Sequence, residues 1–517
     1  GWRSVAVYAE DDALSLHALK ADIAVPLSGS GASAYLDQAQ MIAIARQHQC
    51  DGVHPGYGFL SENSDFARAC EQAGLVFVGP DADTLALFGD KARARALAAE
   101  CGVPVLQGMD HSVSLQQAEA FFAQLPAGSA MAIKAIAGGG GRGLRVVRDS
   151  AQLAAAYARC QSEAESAFGD GSVYVEQWAA AARHIEVQVL GDGSDCVHLY
   201  ERECSLQRRH QKVIEMAPSC HLSPTLKHGL FEAALAMAQR VGYRGLGTFE
   251  FLVFEQAGDS RFVFIEANPR IQVEHTVTET ILGLDLVALQ LAVAFAAPLA
   301  ELHVDGLSPS GFAVQARINL EALQADGEVK PAAGRITSWD VPGGHGVRVD
   351  SYVYSGYQTS PRYDSMVAKL IVHSARPDHS AALRKLSQAL QEFRIGGLAS
   401  NLSVLRNLAC HPDVLNGAVD TGFIDAHTHD DASLIIRPDM EAKLSQGVTT
   451  VICGNCGISG APYDLMCEPP GLLRLVFKSE DFVAKDFDSY VSKVEEAKPS
   501  VNSAFFTGHT TLRMNAM

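Results

Sequence analysis

Basic residues are scarce: 41 Lys and Arg stand against 59 Asp and Glu in 517 residues, a formal net charge of -18. That balance opposes nucleic acid or an anionic membrane as a partner, and it requires any site for an anionic ligand to be locally basic. Long apolar runs are also missing. The most apolar stretch, Leu284 to Ala300, contains Asp285 and Gln290 and is too short and polar to cross a bilayer. The chain does not open on a signal-peptide pattern. Its 11 Cys follow no regular spacing, which leads us to expect reduced thiols and a cytoplasmic location. Cys453 and Cys456 have the spacing of a redox or zinc pair, but no second pair follows. Long repeats and low-complexity linkers are absent too.

What is present suits a large enzyme. Hydrophobic residues make up 48% of the chain, enough for sizeable cores, and the length suits three or four domains of roughly 150 residues each. Short apolar runs alternate with helical patterns up to about residue 104, for example Val5 to Tyr8 as strand and Tyr35 to Gln47 as helix. A smaller unit with a Gly-rich segment follows over 105–178. Residues 179–305 carry strands at Ile185 to Leu190 and Cys196 to Glu201, then a hairpin and a helix from Leu284. Residues 306–421 read as an antiparallel sheet with a helix from Ser380 to Phe393, and 422–517 form a distinct tail. The expected class is α/β combined with α+β.

The hairpin is the most informative element. Phe249 to Phe254 and the run from Phe264 flank the turn 256–260, a register that sets Glu250 opposite Glu266. Facing carboxylates repel, so the pair makes sense with a divalent cation between them. In an extended chain Glu266, Asn268, Arg270, Gln272 and Glu274 share one face. The solvated face of an ordinary hairpin alternates in the same way. Five polar groups of different chemistry on one strip, an arginine among acids, favour a metal and substrate bed.

Other segments supply what such a bed needs. Gly138 to Gly141, followed by Arg142 and Gly143, form a loop whose amides can approach phosphates, although it lacks the Lys-Ser or Lys-Thr ending of a P-loop. Lys134 ends the strand before it, Lys91 is a second candidate cation, and Arg208-Arg209-His210-Gln211-Lys212 concentrates positive charge.

Residues 1–425 resemble the biotin carboxylase subunit or domain of biotin-dependent acyl-CoA and related carboxylases, members of the ATP-grasp superfamily. The resemblance rests on His-Pro-Gly-Tyr-Gly-Phe-Leu-Ser-Glu-Asn at 54–63, Gly-Gly-Gly-Gly-Arg-Gly at 138–143, Arg-His-Ile-Glu-Val-Gln at 183–188 and Glu-Arg-Glu-Cys-Ser-Leu-Gln-Arg-Arg-His-Gln-Lys at 201–212. Gly-Thr-Phe-Glu-Phe at 247–251, the hairpin strip and Tyr-Asp-Ser-Met-Val-Ala-Lys-Leu-Ile at 363–371 complete it. It implies a pre-ATP-grasp domain (1–104), an ATP-grasp lid (105–178) and central subdomain (179–305), and a C-terminal domain (306–421). It further implies a homodimer that uses ATP, Mg2+ or Mn2+, bicarbonate and biotin on a carrier protein, with a carboxyltransferase elsewhere.

By the same resemblance Lys91, Lys134 and the glycines Gly139, Gly140 and Gly141 contact ATP. Glu176 and Gln177 lie at the adenine hinge and His184 near the ribose, while Gln207, His210 and Lys212 approach the transferred phosphate. Glu250, Glu266 and Asn268 bind magnesium, and Arg270, Gln272 and Val273 bind bicarbonate. Glu274 is the general base and Arg348 stabilises the biotin enolate. The strand, Gly-rich turn and helix that open this family have no counterpart here, so an N-terminally truncated enzyme is expected.

The tail points elsewhere. Gly-Phe-Ile-Asp-Ala-His-Thr-His-Asp-Asp at 422–431 reads as a strand ending in a His-x-His pair, whose side chains face the same way and suit one metal. With Lys443 to Asn455, it resembles the start of the N-acyl-D-amino-acid deacylases of the amidohydrolase superfamily. That implies His427, His429 and Cys456 as zinc ligands in an incomplete (β/α)8 barrel, since a whole barrel needs about 250 residues. Hydrolysis is not expected of such a fragment.

Overall fold

From His184 to Val189 even-numbered positions are polar and odd-numbered ones apolar, so one sheet face must be covered and the other must be given polar partners. The computed structural model does both. It describes residues 1–426 except 110, 127–128, 137–142, 180, 257–258, 324–328 and 377, and beyond 426 the strands Thr450–Cys453 and Asn502–Phe505 with residues 492 and 496.

The central sheet has eight antiparallel strands: β1 (Arg183–Asp192), β2 (Cys196–Arg208), β3 (Gln211–Ala217), β4 (Arg244–Gln256), β5 (Asp259–Asn268), β6 (Phe312–Asn319), β7 (Val347–Ser351) and β8 (Met366–Ser374). Their order is β5-β4-β1-β2-β3-β6-β8-β7. On one face Ile185, Val187, Phe249, Phe251 and Phe264 pack against Leu230, Ala234 and Met237 of the helix Pro224–Arg240. The opposite face carries Glu186, Gln188, Thr248, Glu250 and Glu266. Gly247 permits the close approach of the Tyr243 hydroxyl, which a side chain at 247 would meet at 2.2 Å.

This sheet crosses the boundary expected at 305–306. The outer edge of β3 pairs with β6 in the register Ile214 to Ala316, so the ATP-grasp and C-terminal parts share one hydrogen-bonded layer. The N-terminal part is more divided than the sequence suggests, with two separate parallel pairs, Val5–Tyr8 with Ile23–Pro26 and Gly52–Val53 with Val76–Phe77. The lid is a three-stranded antiparallel sheet in the order Leu144–Val147, Met131–Ala135, Val173–Gln177. Among the described residues no single helix is long and apolar enough to cross a membrane, and every cysteine is free.

In the strand expected over 422–431, the described residues Phe423–Ala426 form instead a helical turn. An alternating strand would bury only one of Phe423 and Ile424. The turn buries both, at 9% and 8% exposure, in the apolar cluster of the C-terminal domain with Leu383, Leu386 and Leu405. Asp420 starts it, its side chain accepting from the Gly422 amide at 2.9 Å. Of the other tail strands expected, near Val451 and Phe505, Thr450–Cys453 and Asn502–Phe505 pair in parallel. His427, His429 and Cys456 lie outside the described residues, and the barrel remains a sequence-based expectation.

Phe423→Ala should therefore destabilise the C-terminal domain by about 2–4 kcal/mol, as expected for truncation of a large core side chain. Denaturant melts check this, and unchanged stability would remove the turn from that core.

Candidate active site

Registers across the sheet place Glu266, Glu250, Glu186 and Arg202 in a single row on β5, β4, β1 and β2. Three neighbouring carboxylates on one face repel strongly unless cations are placed among them. Arg202, fully buried, is the first such cation. All five of its N–H groups find acceptors: Glu186, Gln188 (2.7 Å), Thr278 (3.0 Å), Thr248 (3.1 Å) and Gln272 (3.0 Å). Lys212, near the start of β3, is the second. Its ammonium lies 2.6 Å from Glu186, 3.1 Å from Glu250 and 2.6 Å from Glu274.

These contacts override burial. Desolvation alone would push Lys212 down and Glu250 and Glu274 up. The three carboxylates instead hold Lys212 well above its usual range. Lys212 and His184 hold Glu250 well below the carboxylate range, and Lys212, Arg317 and Arg202 do the same for Glu274. His184 Nδ1 accepts from Gln207 at 2.6 Å, which leaves the proton on Nε2, 2.7 Å from Glu250 but poorly aligned for a hydrogen bond.

The hairpin register Glu250 to Glu266 is as the sequence indicates, but a bulge produces it. Between Phe251–Phe264 and Glu250–Glu266 the pairing slips by one residue at Ile265, and without the slip Glu250 would face Ile265. The strip is not one strand throughout, since β5 ends at Asn268. Arg270 and Gln272 lie in the following loop, and Glu274 is the N-cap of the helix His275–Leu282. Its side chain makes no capping bond and points to Lys212 and, at 3.1 Å, to Arg317. Arg270 bonds Asn268 Oδ1 at 3.1 Å and pairs with Glu62 of the 54–63 loop, which ties the N-terminal part to this end of the sheet. Gln272 also donates to Glu250 at 2.8 Å, and the Val273 carbonyl accepts from Lys369 at 3.0 Å.

Lys212, Glu250, Glu266, Asn268, Arg270 and Glu274 border a cleft of about 2030 Å³ that also reaches Lys91, Lys134, Gln207, His210 and Arg317. Lys91 opens the helix Lys91–Glu100 and sits 3.7 Å from Glu266. Lys134 pairs with Glu176, whose carboxylate is buried and also held by Arg95 at 2.9 Å. Glu176 and Gln177 are not on the cleft lining, and their place at an adenine hinge remains an expectation. Gly139, Gly140 and Gly141 lie outside the described residues. The turn between β2 and β3 holds Arg209 and His210 at φ of 49° and 63°, a left-handed pair that only a tight hairpin imposes. For a hard divalent cation, Glu250, Glu266 and Asn268 offer oxygen donors from facing strands, a donor set that fits.

Arg348 departs from its expected place. It lies on β7 away from the cleft, bonded to Glu279 and Asp350, each at 2.7 Å. Arg317 on β6 lies in the cleft instead, against Glu215 and Glu274. Sequence reasoning missed Arg317, Arg202 and Glu186. Glu186 was discoverable, because it falls in register with Glu250 once β1 and β4 are paired. Arg317 sits in the polar alternation Gln315, Arg317, Asn319, a signal too common to single it out.

Three family models match in succession: "Biotin carboxylase, N-terminal domain" over residues 1–85, "Carbamoyl-phosphate synthase L chain, ATP binding domain" over 90–302 and "Biotin carboxylase C-terminal domain" over 315–426. The last ends with the turn Phe423–Ala426. Among curated proteins the chain is 43% identical over 470 residues to a pyruvate carboxylase of Bacillus subtilis, covering 89% of this chain and 40% of that one. It is 44% identical to the mitochondrial pyruvate carboxylase of Homo sapiens, covering 82% and 36%. The chain thus spans about two fifths of the length of these relatives. Among solved structures, the biotin carboxylase domain of a single-chain bacterial carboxylase is 49% identical with a TM-score of 0.73, covering 82% of this chain and 91% of that one. The biotin carboxylase domain dimer of the Hydrogenobacter thermophilus 2-oxoglutarate carboxylase, solved with MgADP, ADP and bicarbonate, is 36% identical with a TM-score of 0.78, covering 82% and 92%. Over residues 1–426 the chain belongs to the biotin carboxylase family of ATP-dependent ligases.

Proposed function

We propose that this chain carboxylates biotin on a carrier domain or protein, at the expense of ATP and bicarbonate. The observation that carries the reading is the convergence of Glu274, Lys212, Arg317 and Arg270 on one cleft with the facing pair Glu250 and Glu266. A bicarbonate oxygen attacks the γ-phosphorus and ADP leaves, which yields carboxyphosphate. The carboxyphosphate C–O bond then breaks to give carbon dioxide and phosphate, the phosphate takes the N1' proton of biotin, and N1' bonds to the released carbon dioxide. Phosphoryl transfer of this kind depends mainly on positioning and charge neutralisation. Lys91 and Lys134 suit the phosphates. Glu250, Glu266 and Asn268 would hold Mg2+ or Mn2+, which supplies further neutralisation of the phosphate charge when bound.

Glu274 takes the bicarbonate proton and Arg270 neutralises the oxyanion. With Lys212 and Arg317 beside it Glu274 stays ionised, but it is a poor base until an anion draws part of that positive charge away. Anionic substrates therefore raise its basicity as they arrive. The charge on the biotin enolate is offset by Arg317, the guanidinium beside Glu274, in place of Arg348. The final acceptor rests with a carboxyltransferase. The relatives include pyruvate and 2-oxoglutarate carboxylases, and a long-chain acyl-CoA carboxylase is 42% identical with a TM-score of 0.71 over 82% of this chain. The step assigned here is the one these enzymes have in common, and a homodimer remains part of the proposal.

ADP release that depends on both bicarbonate and biotin tests the reading, and ATP turnover indifferent to both would overturn it. Glu274→Gln should lower kcat by about 10²–10⁴-fold, the usual contribution of a general base, with nucleotide affinity unchanged. A matching loss of nucleotide affinity would remove Glu274 from the chemical step.

Lys212→Met should destabilise the fold by about 3–5 kcal/mol near neutral pH, because buried carboxylates lose their partner. Glu250 and Glu274, with depressed folded values, stabilise fully above the unfolded carboxyl range of about 4.3 and lose that contribution as pH falls through the folded values. The raised Lys212 contributes below its unfolded value, and that contribution is lost as pH rises through the folded one. The gap in melting temperature between wild type and Lys212→Met should thus hold steady from about pH 8 to pH 5 and narrow as pH falls below about 4.3. A gap that stays constant below that range would show that the network does not set these charges.

A further inference from the structure

Away from the cleft, where the segment after β3 meets the start of the helix His379–Glu392, Cys220, His221 and His379 bring a sulfur and two ring nitrogens within 4.8 Å of one another. The family chemistry described above uses none of them. We propose that they form a second metal site, for Zn2+ or a similar thiophilic dication, that fastens the ATP-grasp part to the C-terminal part.

The ring orientations carry the argument. His221 Nε2 lies 2.7 Å from the Asn416 carbonyl and donates to it, which leaves Nδ1 with its lone pair. His379 makes a backbone hydrogen bond at the adjacent Leu415, while its Nε2 is buried without any partner. His379 has the arrangement usual in a metal-ligating histidine, one bond to the backbone and a nitrogen left for an ion, whereas the exposed His221, whose Cδ2–Nε2 edge lies beside the Cys220 sulfur, must turn to offer Nδ1. The rings stand 5.5 Å apart at 83°, so both can address one point without stacking. Around a tetrahedral zinc, with bonds of about 2.0–2.3 Å, ligand atoms lie about 3.5 Å apart, so the cluster must contract by roughly 1 Å. Side-chain rotation at the exposed His221 can provide that.

The surroundings favour a cation. Glu203 Oε2 lies 3.7 Å from the Cys220 sulfur, and the same carboxylate is paired with Arg183. Asp378 and Glu203 face His379, with His221 as its other titratable neighbour. Burial and the neighbouring Glu203 push the Cys220 thiol up to about 12, so the metal must displace a proton. Gly417, at φ of 69°, lies against the cluster, and a Cβ there would meet the Cys220 sulfur at 2.6 Å. Three protein ligands leave a fourth position for water. The cleft that holds Glu274 and Lys212 does not reach the site, which assigns the ion a structural or regulatory task.

Co2+ titration of the metal-free full chain tests this, read by thiolate-to-cobalt absorption and tetrahedral bands, with Zn2+ competition for affinity. The test variants are Cys220→Ser, His379→Gln and the exposed His221→Asn. A triple variant, His427→Ala, His429→Ala and Cys456→Ala, controls for the tail. The site predicts one equivalent with a thiolate band that persists in the triple variant, disappears in Cys220→Ser and weakens at least tenfold in affinity in both histidine variants. Binding should release protons, since the ligand thiol must be deprotonated to hold the ion. Should Cys220→Ser fail to fold, His221→Asn at an unchanged melting temperature gives the decision. No thiolate band, or a band that His221→Asn and His379→Gln leave unaltered, or one lost with the tail ligands, would overturn the proposal.

Discussion

Glu186 and Glu250 can lie buried side by side, with the half-buried Glu266 next in the row, only because Arg202 and Lys212 stand among them. Arg202 uses every donor it has, and in doing so it fixes Glu186, Gln188 and Gln272. Lys212 joins that row to Glu274 on the next helix. Such a network is a poor source of net stability, because desolvating its members costs about as much as their attraction returns. Its value is positional. Each acidic side chain is held at a set place, and loss of one cation would leave several carboxylates without a partner.

The cleft that results is assembled from distant parts of the chain. Glu62 of the N-terminal loop clasps Arg270, Lys134 comes from the lid, Lys212 from the central hairpin and Arg317 from the strand that joins the C-terminal part to the sheet. The shared eight-stranded sheet keeps Arg317 and Lys212 in fixed relation, since β3 and β6 are hydrogen-bonded neighbours. The lid lies on a separate three-stranded sheet, so Lys134 is tied to its subdomain by Glu176 rather than to the central row.

Local pattern made part of this legible. Period-two alternation located the hairpin and the Glu250 to Glu266 pairing, and the motif at 201–212 pointed to Lys212. What escaped depended on pairing between strands far apart in sequence. Glu186 acquires meaning only when β1 lies beside β4, and Arg317 only when β6 lies beside β3. The family resemblance put the enolate role on Arg348 and passed over Arg317, and only the fold turns Arg317 toward Glu274 and Arg348 toward Glu279 and Asp350. The start of the strand expected over 422–431 failed for a tertiary reason, since a helical turn lets the apolar cluster take Phe423 and Ile424 together.

If Glu274, Arg270 and Lys212 act on bicarbonate, an oxygen of bicarbonate must end in the released phosphate, because the carboxyphosphate C–O bond is the one that breaks. Turnover with ¹⁸O-bicarbonate and biotin, followed by mass spectrometry of the phosphate, tests this most directly. The account predicts one bicarbonate-derived oxygen in each phosphate formed. Phosphate that carries oxygen only from ATP and water would contradict it.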